Sequence, residues 1–133
     1  MKVEATTYSK PSVVSMSKDK YHPNEMVDRY RVVVTGYYSE SEEAPDRIFY
    51  IELFRDVDRP VRYDSDESWL LGDVFLEGYS MSKMRVDDSD DPNHIPSDQL
   101  QDIDYAANVL ATAELRKLDI DKKAQQEIEK FGE

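Results

Sequence analysis

Two stretches rich in β-branched and aromatic residues, 29–39 (RYRVVVTGYYS) and 47–55 (RIFYIELFR), lie only seven residues apart. Such side chains suit a pleated, half-buried surface. A parallel crossover needs roughly a dozen residues or more, so a link this short commits the two strands to an antiparallel pair. The link, 40–46, is made of Ser, Glu, Ala, Pro and Asp, as a solvated loop would be. In the second stretch Phe49, Ile51 and Leu53 fall on one face and Ile48, Tyr50 and Phe54 on the other. Both faces are largely apolar, which predicts a central strand.

Further strands are expected around this pair. Residues 3–8 and 12–17 read as short edge strands divided by Pro11, and 60–63 as another short candidate. Residues 69–81 (WLLGDVFLEGYSM) form a longer one, with Gly72 or Gly78 marking a bulge or a close backbone approach.

The period then changes. Residues 87–96 are polar and carry two prolines, and Ser97 or Asp98 can accept from an orphan backbone N–H as an N-cap. Asp98 and Gln101 have capping-box spacing. Leu100, Ile103, Ala107 and Leu110 recur at helical spacing, with Ala106 and Ala113 beside them, to about Leu118. Asp119-Ile120-Asp121 reads as a break, with Asp121 capping a second helix whose stripe is Ala124, Ile128 and Phe131. One uninterrupted helix fits the same periodicity.

The expected fold is therefore α+β, a single domain over residues 1–133. An antiparallel sheet of three to five strands, about residues 3–81, packs with one or two C-terminal helices, about residues 98–131. Residues 86–97 are expected to form a flexible acidic loop. A chain of 133 residues buries roughly two thirds of its unfolded surface and needs no staple. It has no cysteine, which excludes disulfides, thiolate metal sites and a cysteine nucleophile. No apolar run approaches the ~18 residues that span a bilayer, and residues 1–20 hold no signal-peptide core. A cytoplasmic location without membrane contact is expected.

Charge is the strongest functional signal. The formal net charge is −12, from 29 acidic and 17 basic side chains. Residues 1–39 carry six Lys/Arg and four Asp/Glu, a net of +2, whereas residues 40–133 carry eleven and twenty-five, a net of −14. Between Arg85 and Arg116 there is no Lys or Arg, and eight acids fall there. Such a stretch repels phosphate and attracts basic surfaces, so direct nucleic-acid binding through it is not expected.

Motifs for chemistry are missing. The Asp-rich groups Asp56/Asp58, Asp64/Asp66/Glu67 and Asp87/Asp88/Asp90/Asp91 offer hard oxygen ligands, but none fits a calcium loop. Counting from Asp64, position six is Trp69 where Gly is needed and position twelve is Phe75 where Glu is needed; counting from Asp88, position five is Pro92. His22 and His94 have no ligand spacing and read as surface histidines. The four glycines are scattered, so there is no phosphate-cradling loop and no nucleophile elbow. No cofactor, metal or catalytic residue is assigned. Tyr30, Tyr37, Tyr38, Tyr50, Tyr63 and Tyr79 fall on or near strands and read first as core and edge filler, second as a protein-binding face.

The reading reached from sequence is a non-catalytic acidic binding protein whose partner is a basic protein surface. Its partner-binding residues are expected to be Asp87, Asp88, Asp90, Asp91, Asp98, Asp102 and Asp104, with Glu40, Glu42 and Glu43 as a second patch. Carboxylates on a rigid scaffold imitate nucleic-acid phosphates, because a groove built for phosphates offers Arg and Lys that pair well with carboxylates. In size, charge and lack of cysteine the chain resembles small acidic inhibitors encoded by phages and mobile elements, which occupy nucleic-acid-handling enzymes. The alternatives are a structural subunit of a homo-oligomer or larger complex, and a carboxylate-based metal-binding domain or enzyme.

Overall fold

The structure is a computed structural model that describes residues 2–7, 9–39, 42–43, 47–76 and 97–131. Five strands come first: β1 (Lys2–Thr7), β2 (Ser12–Ser17), β3 (Met26–Ser39), β4 (Arg47–Asp56) and β5 (Leu70–Leu76). One helix follows, α1 (Ser97–Phe131). Every strand pairing is antiparallel, and β3 and β4 occupy the middle of the sheet with β5 beyond β4. This is the α+β arrangement expected from the two closely spaced central strands.

β1 and β2 share one edge of β3. β1 pairs with residues 34–39 of β3 and β2 with residues 26–31, both running the same way. They form one edge line with a gap opposite Val32 and Val33, where Pro11 lies. Pro11 has no N–H to donate, so a continuous ladder is not available there. The Val33 amide donates to Ser9 Oγ at 3.4 Å. An interrupted edge with Pro in it also resists pairing with another sheet.

The core lies between one sheet face and α1. Val32 and Val34 of β3 and Phe49, Ile51 and Leu53 of β4 are sealed from solvent. Against them lie Ile103, Ala107, Ala111 and Leu115, spaced so that successive turns of α1 present them on one side. The two alanines let the helix backbone come close to the sheet. Gly36 serves the same end within the sheet: a Cβ there would stand 2.0 Å from the Glu4 carbonyl oxygen and 2.8 Å from the Phe49 ring. Gly72 sits at the bulge anticipated from its sequence, where β5 slips register between Ile51 and Leu53 of β4.

Two expectations change. Residues 60–63 are not a strand. Their neighbourhood bonds to arginine side chains instead: Arg55 donates to the carbonyls of Arg59 (2.9 Å) and Pro60 (2.7 Å), and Arg116 to those of Arg62 (3.1 Å) and Ser65 (2.5 Å). Nor does the helix break at 119–121. Asp119 accepts from the Tyr63 hydroxyl and pairs with Lys123 at 3.1 Å one turn on, so its carboxylate is used without capping a new helix. β4 is central in strand order, but its second apolar face is only half-buried among the described residues. Residues 77–81, Tyr79 and Gly78 included, lie outside the described residues. No described helix is long and apolar enough to cross a membrane.

Candidate functional site

The segment 57–69 ties β4 to β5 and is strapped to α1 by polar contacts. Arg55, 1% exposed, anchors it from below by an ion pair with Glu67 at 3.2 Å; Arg59 approaches the other Glu67 oxygen at 3.4 Å. Thr112, fully buried, accepts from the Glu67 amide and the Trp69 indole, both at 3.2 Å. Asn108 accepts from the Trp69 amide at 2.6 Å. Each of these groups would carry a desolvation cost if left unpaired, so the strap and the helix hold each other in one register.

A cleft of about 250 Å³ opens where the strap meets the helix, lined among others by Asp66, Glu67, Gln101, Asp104, Tyr105 and Asn108. Glu67 is neutralised by the two arginines, and Asp66 stands 3.7 Å from Arg116. Asp104 differs. It is half-buried and accepts from Asn108 Nδ2 at 2.8 Å, and it makes no ion pair among the described residues. Burial pushes its carboxyl above the usual carboxylate range, and the Asn108 hydrogen bond offsets that only in part. Tyr105 beside it is 71% exposed.

The folded pKa of Asp104 thus lies above its unfolded value. Between the two the folded chain binds more protons, so stability falls as pH rises through that window and stays lower at neutral pH. Asp104→Asn keeps an oxygen that accepts from Asn108. It is expected to raise the thermal midpoint at pH 7 and to leave it unchanged near about pH 3, below the unfolded carboxyl pKa. Equal midpoints of variant and wild type at pH 7 in thermal melts would contradict this.

The structure places the sequence-predicted acids unevenly. Asp102 and Asp104 are half-buried on α1, and Glu42 and Glu43 are exposed. The backbone of Asp98 lies in the first turn of α1, and its side chain is outside what is described. Asp87, Asp88, Asp90, Asp91, Glu40 and His94 lie outside the described residues. Sequence reasoning missed Asp66 as a neighbour of Asp104, because the strap that brings residue 66 to the helix is held by the buried Arg55; Gln101 and Tyr105 adjoin Asp104 on α1 itself. Among the described residues, no three His, Asp or Glu side chains gather closely enough to hold a metal ion. His22 is exposed and its Nδ1 stands 2.9 Å from Asp19 Oδ1, a contact that is the main reason the Asp19 carboxyl lies below its usual range.

The tyrosines divide. Tyr30 and Tyr38 belong to the core. Tyr37 and Tyr50 project from the sheet face opposite α1, with Ile48, Phe54, Leu70 and Phe75; Tyr37, Ile48 and Leu70 are roughly half exposed. Tyr50 and Phe75 meet edge-on, their centroids 5.6 Å apart. Arg31 lies among them, bonded to Glu52 at 2.5 Å and to the Tyr50 hydroxyl at 3.2 Å.

The chain therefore offers an acidic cleft on one side and an aromatic sheet face on the other. Compared with known proteins, it matches no protein-family model, no curated protein and no solved structure.

Proposed function

We propose that this chain is a non-catalytic binding protein whose acidic side, centred on the first half of α1 and the cleft beside it, engages a basic protein surface. The phosphate-binding groove of a nucleic-acid-handling enzyme is the partner surface that this chemistry fits best. The observation that carries the reading is the thirty-residue span 86–115, with eight acids and no Lys or Arg, whose described part borders the cleft. Asp104 supports it physically. A carboxylate disfavoured by burial is stabilised when a cation arrives, and the exposed Tyr105 ring offers a flat partner for a guanidinium.

Affinity capture from a cell lysate tests the proposal, using the wild type and a variant with Asp87, Asp88, Asp90, Asp91 and Asp102 changed to Lys. Bound proteins are eluted by salt steps or by duplex DNA. The expected result is a basic nucleic-acid-binding protein that DNA displaces from the wild type and that associates with the variant at least about tenfold more slowly. A partner held equally by both, or one that nucleic acid fails to displace, overturns the proposal and directs attention to the Tyr37–Ile48 face of the sheet.

A further inference from the structure

The cleft between the strap and α1 holds one carboxylate in a prepared orientation. Asn108 is the cause. Its Oδ1 accepts from the Trp69 amide at 2.6 Å, and its Nδ2 donates to the Asp104 carbonyl at 2.7 Å and to Asp104 Oδ1 at 2.8 Å. Trp69 is itself fixed, because its indole donates to the buried Thr112 at 3.2 Å. The Asp104 side chain is therefore held by an amide engaged at both ends. Its Oδ2 accepts no hydrogen bond among the described residues. Gln101, about one turn earlier on α1, and Tyr105 line the same cleft, and Tyr105 is 71% exposed.

We propose that this cleft receives a single arginine side chain of the partner protein, in preference to lysine. The proposal rests on the reading of the acidic side as a docking surface and names the group that enters it. A guanidinium is planar, donates in a fixed fork to a carboxylate and stacks on aromatic rings. Asp104 supplies the free carboxylate oxygen, Tyr105 the ring, and the Gln101 side-chain carbonyl a further acceptor. Guanidinium is also more weakly hydrated than ammonium, so it gives up less on entering beside a half-buried acid. Lysine brings the same charge without the plane or the fork. An arriving guanidinium also supplies the counter-charge that Asp104 lacks, and so reverses the burial effect that raises its pKa.

The other acids of the cleft add to the potential without competing for the cation. Glu67 is already paired with Arg55 and Arg59, and Asp66, 47% exposed at its side chain, stands 3.7 Å from Arg116. A hard metal ion fits less well. It takes about six or more oxygen ligands, and no three acidic side chains gather among the described residues.

NMR titration of the isotope-labelled full chain with N-acetylarginine amide, at fixed ionic strength, tests the proposal. Saturable shifts are expected at Gln101, Asp104, Tyr105 and Asn108, with a Kd of about 1–10 mM. N-acetyllysine amide should bind about threefold more weakly or worse. Asp104→Asn should weaken the arginine probe about tenfold. Tyr105→Ala, at an exposed ring, should weaken it about threefold and remove the preference over lysine. Asp121→Asn removes the same charge from an exposed site farther along α1 and should change nothing. Free arginine, whose own carboxylate meets acidic walls, should bind no more tightly than the capped probe. Shifts that spread over the acidic surface without saturating, equal affinity for the two capped probes, an indifferent Asp104→Asn, or tighter binding of free arginine overturns the proposal. The lysate capture varies Asp87, Asp88, Asp90, Asp91 and Asp102 and leaves Asp104 and Tyr105 in place, so the arginine site and the docking reading fail separately.

Discussion

Replacing Arg55 with Met is expected to lower the unfolding free energy by about 3–5 kcal/mol, the usual cost of removing one partner from a buried ion pair. Arg55 is among the largest fully buried side chains of the described residues. Its guanidinium satisfies the carbonyls of Arg59 and Pro60 and one Glu67 oxygen. Methionine fills much of the volume but donates nothing. Glu67, only 7% exposed at its side chain, would keep only the more distant and more exposed Arg59. A second variant separates charge from packing. Arg55→Met with Glu67→Met removes the stranded carboxylate and should recover about 1 kcal/mol or more relative to the single variant. Urea unfolding of the three proteins measures both effects, and a loss below about 1 kcal/mol for Arg55→Met would show that the pair is not holding the strap. The strap also shapes the acidic cleft, so the variant should lose any partner that binds there.

A methyl group at Gly36 should cost about 3 kcal/mol, in the upper range for overpacking. The added Cβ would lie 2.0 Å from the Glu4 carbonyl oxygen and 2.8 Å from the Ala5 Cα, both backbone atoms of β1. Side chains can rotate out of the way, but a paired strand has to move as a unit. Hydrogen exchange should show β1 amides losing protection while β3, β4 and β5 keep theirs. Gly72→Ala is the control. Its close neighbours are the Glu52 carboxylate and the Phe54 ring, flexible ends that can yield, so its cost should stay below about 1 kcal/mol. If both alanine variants unfold at the same denaturant concentration, the steric account of Gly36 is wrong.

Much of the scaffold was legible because it rests on short-range pattern. The two-residue period of the strands and the seven-residue link between β3 and β4 left few arrangements open, and both early edge strands appear where Pro11 divides them. On α1, helical spacing identified Leu100, Ile103 and Ala107 of the core line but not Ala111 and Leu115, and it set Ala113, which is exposed, beside them. The misread segments, 60–63 and 119–121, share one cause. Residues 60–63 have strand-like composition, but their neighbourhood's carbonyls bond to arginines brought from β4 and α1, and Asp119 is held by Tyr63 from 56 residues away. Arg116 and Asp119 lie more than fifty residues from the groups they bond, so no local window contains them.

The candidate site divides the same way. Net charge and its skew toward residues 40–133 are properties of composition, and the sequence by itself determined them along with the antiparallel sheet and the amphipathic helix. Tertiary structure alone decided which acids are free to meet a partner. Glu67 is neutralised by Arg55 and Arg59, Asp66 is drawn toward Arg116, and Asp104 is half-buried without a cation among the described residues. The physical reason is that a carboxylate's solvation and neighbours are set by chain segments that meet only when the strap closes over the helix. Its charge is written in the sequence, but the energy of that charge is not.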